Sequence, residues 1–461
     1  MTTLHDRLAD LAADADAHAD VREPVHVLWD RGRRYHRLRR GGTAAIVVAA
    51  LAVVGGVVGT AELRADTTPA PAGSPVGVPE RIFAPSPYLE GTEDGGSLGR
   101  LAVLLSTTRS GMWGSEQGYV GVSAATGEYR FLDLPDAAPD PGAVLSPDGS
   151  VVAYWTSGPT QDTPNTIDGE PPVTGVALYH PDTGDVVRHD IATEHGLGIE
   201  TDLDWVATDT LLVRFTQYAG GEGDSEMDRS TSGAAPTLLW DVDEPDPRPA
   251  ESREVRRGFW TEPSGHAGQV VTVHGERTFS VVALDAPRLP RRYRTDQVLS
   301  TSVSAGPGGQ WAAAVWGGPG DRGRNPNVLV GAPFSSASTL GGEAAARIDL
   351  PQVPGSRRYA EVVGWLDGST VLARARRGGY DGRTVLDAVD LRDGATGELV
   401  VGPPEGTGAR WQVATDLLRE PTVDAVEPPR PMSPRLTAGL TGLTVLGAAG
   451  ALVLWRRRVR P

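Results

Sequence analysis

Hydroxyls, carboxylates, imidazoles and guanidiniums are the reactive groups of this sequence, because its 461 residues include neither cysteine nor lysine. Those absences exclude thiolate metal sites, cysteine nucleophiles, lysine Schiff bases and Walker-type phosphate loops. His180, His189, His195, His266 and His274 lack metal-ligand spacing and read as solvated or hydrogen-bonded loop residues. Glu222, Asp224, Glu226 and Asp228 offer the oxygens that calcium takes, but not in the spacing of a known calcium loop. They read as an acidic insertion, as does the run 241–252. The catalytic arrangement left open is a pair of carboxylates converging from distant segments, which would suit a lyase or a glycan hydrolase. No individual catalytic, metal-ligating or cofactor-binding residue is expected, and no cofactor.

Tryptophan is the other informative type, with eleven against six phenylalanines. Trp155, Trp205, Trp316 and Trp365 lie in or beside apolar alternating runs and are expected to pack between sheets. Trp113 and Trp260 stand among Gly, Ser and Pro, in loop positions suited to recognising a glycan or a peptide. These two are the candidate ligand-binding residues.

The elements that must position these residues are short strands and tight turns. In AVLSPDGSVVAYWTS (143–157) a strand ends at Ser146-Pro147-Asp148-Gly149, and the returning strand alternates Val151, Ala153 and Trp155 with Val152, Tyr154 and Thr156. Proline fixes φ, and Asp-Gly supplies the positive-φ position of a tight hairpin. Looser copies start near 203, 271, 303 and 362, the last carrying Asp367-Gly368. A second turn type recurs at Ala125–Glu128, Asp182–Asp185 and Ala395–Glu398. Two hairpins per unit make four strands, and a unit arrives roughly every 40–60 residues.

These residues resemble the TolB-like and WD-repeat-like β-propellers, whose blades carry Ser-Pro-Asp-Gly before an alternating strand. Ser146–Gly149 matches that motif in full and Asp367-Gly368 keeps half of it. The arginine-only, Ala- and Gly-rich composition is also similar to that of actinobacterial membrane proteins of this layout. The resemblance implies an all-β chain with a six- or seven-bladed propeller at 81–422. Six units run from 98 to 402, and Ile82-Phe83 with Trp411–Val413 are left to pair into a closing seventh blade.

Two uncharged apolar stretches flank the strand region, Gly41–Ala61 and Leu436–Trp455. At about 1.5 Å per residue each reaches roughly 30 Å, the thickness of a hydrocarbon core. Arg37, Arg39 and Arg40 precede the first span and Arg456, Arg457 and Arg458 follow the second, so both termini are expected in the cytoplasm. Trp29 and Trp455 are the interfacial aromatics beside those arginines. Proline-rich linkers, 62–80 and 423–435, join the spans to the propeller, and a basic tail occupies 456–461. Within the cytoplasmic 1–40 segment, Leu4, Leu8 and Leu11 mark a short amphipathic helix ahead of the basic juxtamembrane stretch.

All positive charge comes from 43 arginines against 59 acids, for a formal −16. The first forty residues carry one net positive charge and the tail four, which leaves −21 on the segment between the spans. Such a segment does not suit nucleic acid. The sequence therefore predicts a two-pass cell-membrane protein with a large extracytoplasmic propeller. Its expected partners are membrane lipid, an external protein, peptide or envelope polymer, and a cytoplasmic regulatory protein at the N-terminal helix.

Overall fold

The structure is a computed structural model, and it describes residues 75–138, 142–165, 170–198, 202–221, 236–251, 265–266, 268–273, 278–284, 291–294, 299–306, 310–315, 328–333, 346–347, 358–377, 382–404 and 410–459. The chain divides into a β-rich unit, Ala70–Met432, and a second unit that includes the C-terminal helix from Ser433 onward.

Among the described residues the β-rich unit holds six sheets. The first contains β1 (Leu101–Ser110), β2 (Ser115–Ser123) and β3 (Tyr129–Phe131), preceded by a one-turn helix α1 (Thr92–Gly95). The second is β4 (Val144–Leu145), β5 (Val152–Ser157), β6 (Val173–Tyr179) and β7 (Val186–Asp190). The third is β8 (Asp202–Trp205), β9 (Thr210–Arg214), β10 (Thr237–Asp241) and β11 (Arg248–Pro249). Next come β12 (Gly265–His266), β13 (Gln269–Val273), β14 (Thr278–Ala283) and β15 (Arg291–Arg294), then β16 (Leu299–Gly306), β17 (Gln310–Val315) and β18 (Val328–Pro333). After β19 (Ala346–Arg347), the last sheet is β20 (Arg358–Trp365), β21 (Thr370–Arg377), β22 (Arg383–Asp390) and β23 (Thr396–Pro404).

Alternation along the strands shows how the sheets stack. In β5, Val152 and Tyr154 join a core shared with the first sheet, whereas Ala153 and Trp155 join Trp205, Val213 and Trp240 of the third. Both faces of the strand are thus dry, and period-2 alternation sorts side chains between two cores instead of between core and solvent. Val206, Leu212 and Leu239 of the third sheet likewise meet Val270 and Val282 of the fourth, and Ala312 of the fifth meets Trp365 of the sixth. Each sheet is sandwiched between its neighbours in chain order. The fold is a β-propeller.

The tryptophans expected between sheets are there. Trp155 and Trp365 are fully buried and Trp205 nearly so, while Trp316 lies outside the described residues. Burial also pushes the hydroxyl of Tyr129 up to about 12, although it accepts a hydrogen bond from the Phe83 amide at 3.0 Å.

Blade number differs from expectation. Four sheets have the four-stranded antiparallel form of a complete blade, against the six or seven that the repeat spacing predicts. Among the described residues one of the others has five strands, β19 pairing in parallel with β15, and one has three. The seventh blade is also replaced. A strand β24 (Arg410–Val413) enters the first sheet beside β1, with Val103 opposite Val413 and Ser106 opposite Arg410. Ile82 instead donates its amide to Val401 O of β23 at 2.8 Å. β24 holds three sheets at once: the Gln412 side-chain amide bonds Ala143 O and the Leu145 amide, each at 3.0 Å, and Arg374 Nη2 donates to Trp411 O at 2.9 Å. The ring is closed by strand pairing between segments some three hundred residues apart, which removes an exposed edge.

The Ser146–Gly149 turn forms as its residues dictate. Ser146 Oγ donates to Asp148 Oδ1 at 2.8 Å and accepts from the Val151 amide at 3.0 Å, and Gly149 has φ +77°. Its outer side docks on the first sheet, where Leu101 donates to Gly149 O at 2.8 Å. At Asp367-Gly368 the expected positive φ is absent, and Asp367 instead closes the turn by accepting the Ser369 and Thr370 amides at 2.7 and 2.8 Å. Those donors favour the charged form and lower the Asp367 carboxyl below its usual range. The turn expected at Ala395–Glu398 lies earlier, around Gly394 at φ +75°, and Thr396-Gly397 already belong to β23.

The C-terminal helix α2 runs Pro434–Val459, longer at both ends than the apolar stretch, with Arg456, Arg457 and Arg458 in its last turn. Pro434–Trp455 is long and apolar enough to cross a membrane, with mean hydropathy 1.7 and none of it buried. Thr441 and Thr444 return their hydroxyls to carbonyls four residues back, each at 2.8 Å, so these polar atoms need no water. The first span, the N-terminal helix, Trp29, Arg37, Arg39 and Arg40 lie outside the described residues.

Candidate binding site

The β1–β2 hairpin projects from the body. The Leu101–Leu105 half of β1 is buried and its outer half is not, and β2 mirrors this. Gly111 N to Gly114 O at 2.9 Å closes the tip, so Met112 and Trp113 have no choice but to stand outward. Trp113 is 93% exposed, the most exposed large apolar side chain among the described residues.

Under the hairpin lies a cleft of about 540 Å³, lined by Glu93 of α1, Arg109 and Glu116 of the hairpin, Phe131, and the Asp133–Ala138 connection to the second sheet. The order of its charges follows from topology. Arg109 faces Glu116 across the ladder, yet its guanidinium lies over the Phe131 ring at 5.2 Å and bonds Asp133 Oδ1 at 2.6 Å. Asp133 Oδ2 accepts the Glu93 amide at 2.8 Å, which fixes α1 at the rim. Asp136 has φ +53°, the only positive value at a non-glycine among the described residues. It is held there by Ser157 N donating to its carbonyl at 2.8 Å and by Arg188 Nη1 on its carboxylate at 2.9 Å. A backbone strained in this way usually persists only where surrounding bonds over-determine it.

Of the four carboxylates in the cleft, Asp133 and Asp136 each hold an arginine, while Glu93 and Glu116 have no cationic partner among the described residues. With Arg109 the one basic side chain on the wall, the cleft is negative, and the hairpin that lines it carries the exposed indole at its tip. Such a surface attracts cations by charge.

The other sequence candidates are structural, or lie elsewhere. Ser146–Gly149 contacts Leu101, the end of β1 opposite the cleft, and shapes the ring. Trp260, Glu222–Asp228 and His274 lie outside the described residues. His195 Nδ1 is 2.7 Å from Thr163 O, and His189 packs edge-on against Trp240 at 6.0 Å. No cluster of histidine and carboxylate that would hold a metal occurs among the described residues. The inner-strand acids Asp202 and Glu361 are bound by Arg214 and Arg374. Gly95–Gly99 has the Gly-x-Ser-x-Gly spelling of a nucleophile elbow, but it joins α1 to β1, and Ser97 Oγ is engaged with Pro181 O and Asp182 O, both at 2.8 Å. The cleft residues Glu93, Arg109, Glu116, Asp133 and Asp136 carry no spacing signal in the sequence. Only Trp113, set between glycines, advertises the place.

Among solved structures, the chain is similar to TolB from Acinetobacter baumannii, at 11% identity and TM-score 0.36, covering 69% of each chain. An oligogalacturonate lyase in complex with manganese has 11% identity and TM-score 0.38, covering 69% of this chain and 78% of that one. The β-propeller domain of the Trilobed protease from Pyrococcus furiosus has 11% identity and TM-score 0.37, covering 65% and 82%. No family model and no curated protein matches the chain.

Proposed function

We propose that this chain is a membrane-anchored propeller that captures basic peptide segments outside the cell, in the acidic cleft lined by the hairpin that carries Trp113, without chemical change to the ligand. The observation that carries the reading is a hairpin that lines the acidic cleft with Glu116 and presents Trp113, 93% exposed, at its tip. An aromatic side chain presented on a loop of a rigid scaffold suits recognition. Two apolar helices, Gly41–Ala61 and the stretch within α2, anchor the propeller with both termini in the cytoplasm. The amphipathic segment near Leu4–Leu11 is then placed to meet a cytoplasmic regulatory protein.

The test is calorimetry of the full-length protein in nanodiscs with arginine-rich and glutamate-rich decapeptides of equal length. The basic peptide should bind and the acidic one should not. Trp113→Ala should remove about 0.5–2 kcal/mol, and Glu116→Gln should flatten the dependence on salt. Equal binding of both peptides, or a Trp113→Ala protein that binds like the parent, would contradict the reading.

A further inference from the structure

A second cavity, of about 190 Å³, opens on the outer rim of the sixth sheet, and its wall is basic in a chain of net −16. Arg81, Arg383 and Arg430 line it, with Glu427 the one acid. Elsewhere Arg109, Arg130, Arg188, Arg214, Arg374 and Arg392 each sit within salt-bridge distance of a carboxylate. Among the described residues Arg81 and Arg383 have no such partner, and Arg430 shares its charge with Glu427 at 2.6 Å. Arg81 and Arg383 are exposed to solvent, and what distinguishes them is that, with Arg430, they face one cavity.

Their backbones are fixed. Arg81 bridges Val401 in β23, with the next residue bonded there at 2.8 Å, and its guanidinium lies over Phe83 at 5.1 Å. Arg383 opens β22 opposite Pro404, and Gly402 and Pro428 supply walls without charge. Two guanidinium forks lining one cavity, Arg383 at the start of a strand and Arg81 at a bridge to the next strand, suit a tetrahedral oxyanion, which accepts paired N–H donors. The volume is below the roughly 300–1,000 Å³ of sites that enclose a drug-sized ligand and suits a small head group.

We propose that this niche binds a phosphate ester, held by Arg81 and Arg383 with Arg430 as the third cation. The proposal is independent of the acidic cleft at the β1–β2 hairpin. Two sources carry that chemistry, the head group of an anionic phospholipid and a free phosphate ester in solution. Arg430 lies four residues before Pro434, so a helix entering a bilayer there keeps the niche's edge within about 14 Å of chain from the head groups.

The test is phosphorus NMR of the full-length protein in a phosphate-free maltoside detergent, titrated separately with glycerol 1-phosphate and with phosphatidylglycerol doped into the micelles. Broadening of either resonance that weakens roughly ten-fold in the Arg81→Gln/Arg383→Gln double variant supports the site. Which probe responds identifies the source. The control Arg100→Gln, an exposed arginine elsewhere, should leave the titration unchanged, and the melting temperature reports whether the double variant is folded. If a folded double variant binds both probes as the parent does, or if the parent binds neither, the proposal is overturned.

Discussion

Replacing Gly149 with alanine is expected to destabilise the propeller by about 3–5 kcal/mol, through two additive causes. An L-residue at φ +77° is strained, by about 1–2 kcal/mol. The new Cβ would also stand 2.0 Å from Leu101 O and 3.3 Å from Ala414 Cβ, so the turn must move off the first sheet. That movement breaks the Leu101 N to Gly149 O bond and disturbs Asp416 N to Pro147 O, both of which join this turn to the closing region. Thermal unfolding should show a melting temperature lower by roughly 5 °C. The matching change at Gly368 is the control. There φ is not positive and a Cβ meets nothing within 4 Å, so Gly368→Ala should stay within about 1 kcal/mol of the parent. Equal losses at the two positions would mean that glycine at these turns matters through the unfolded chain, and not through the docking of Ser146–Gly149.

Removing the Trp411 ring is the second large effect. The side chain is 5% exposed, lies under the Arg374 guanidinium at 5.0 Å, and packs so closely on β23 that a Cβ on Gly402 would meet Nε1 at 2.6 Å. Truncating a buried tryptophan costs about 3–5 kcal/mol, from lost burial and the cavity left behind. Here the loss falls on the strand that closes the ring. Trp411→Ala should therefore lower the midpoint of urea unfolding and also speed proteolytic cleavage between residues 404 and 414. Trp113→Ala, which removes a ring already in water, should leave the midpoint in place. The two substitutions separate the tryptophan that holds the fold from the one that the proposed function offers to a ligand.

These contrasts show what the sequence makes legible. Ser146-Pro147-Asp148-Gly149 names its own turn, because each residue serves a local hydrogen bond or torsion. Trp155 and Trp365 announce burial through their alternating neighbours. The complement of complete blades is not readable in the same way. That β19 pairs in parallel with β15 rather than with β18, which it follows in the chain, is set by tertiary contact and has no local signal. The destination of Trp411–Val413 is equally non-local, since Leu104 and Leu105 across the ladder are some three hundred residues earlier.

The cleft is hidden for a related reason. Arg109 has two candidate acids, Glu116 opposite it and Asp133 on the connection to the next sheet, and only the folded geometry turns it to Asp133. That choice leaves Glu116 without a cationic partner among the described residues. In the second cavity, Arg81, Arg383 and Arg430 come together because the N-terminal strip, β22 and the segment after Val423 share one rim.

The claim on which all of this depends is that β24 pairs with β1 and shuts the ring. The chain has no cysteine, so the variant Ser106→Cys/Arg410→Cys carries a single pair of thiols, placed on directly opposed positions. Opposed residues in an antiparallel ladder have Cα atoms about 4.5–5.5 Å apart, within the range a disulfide spans. Mild oxidation of the folded protein should give one intramolecular disulfide, seen by peptide mapping as a 106–410 crosslink. Two thiols that stay free to alkylating reagent in the oxidised, folded protein would contradict the closure.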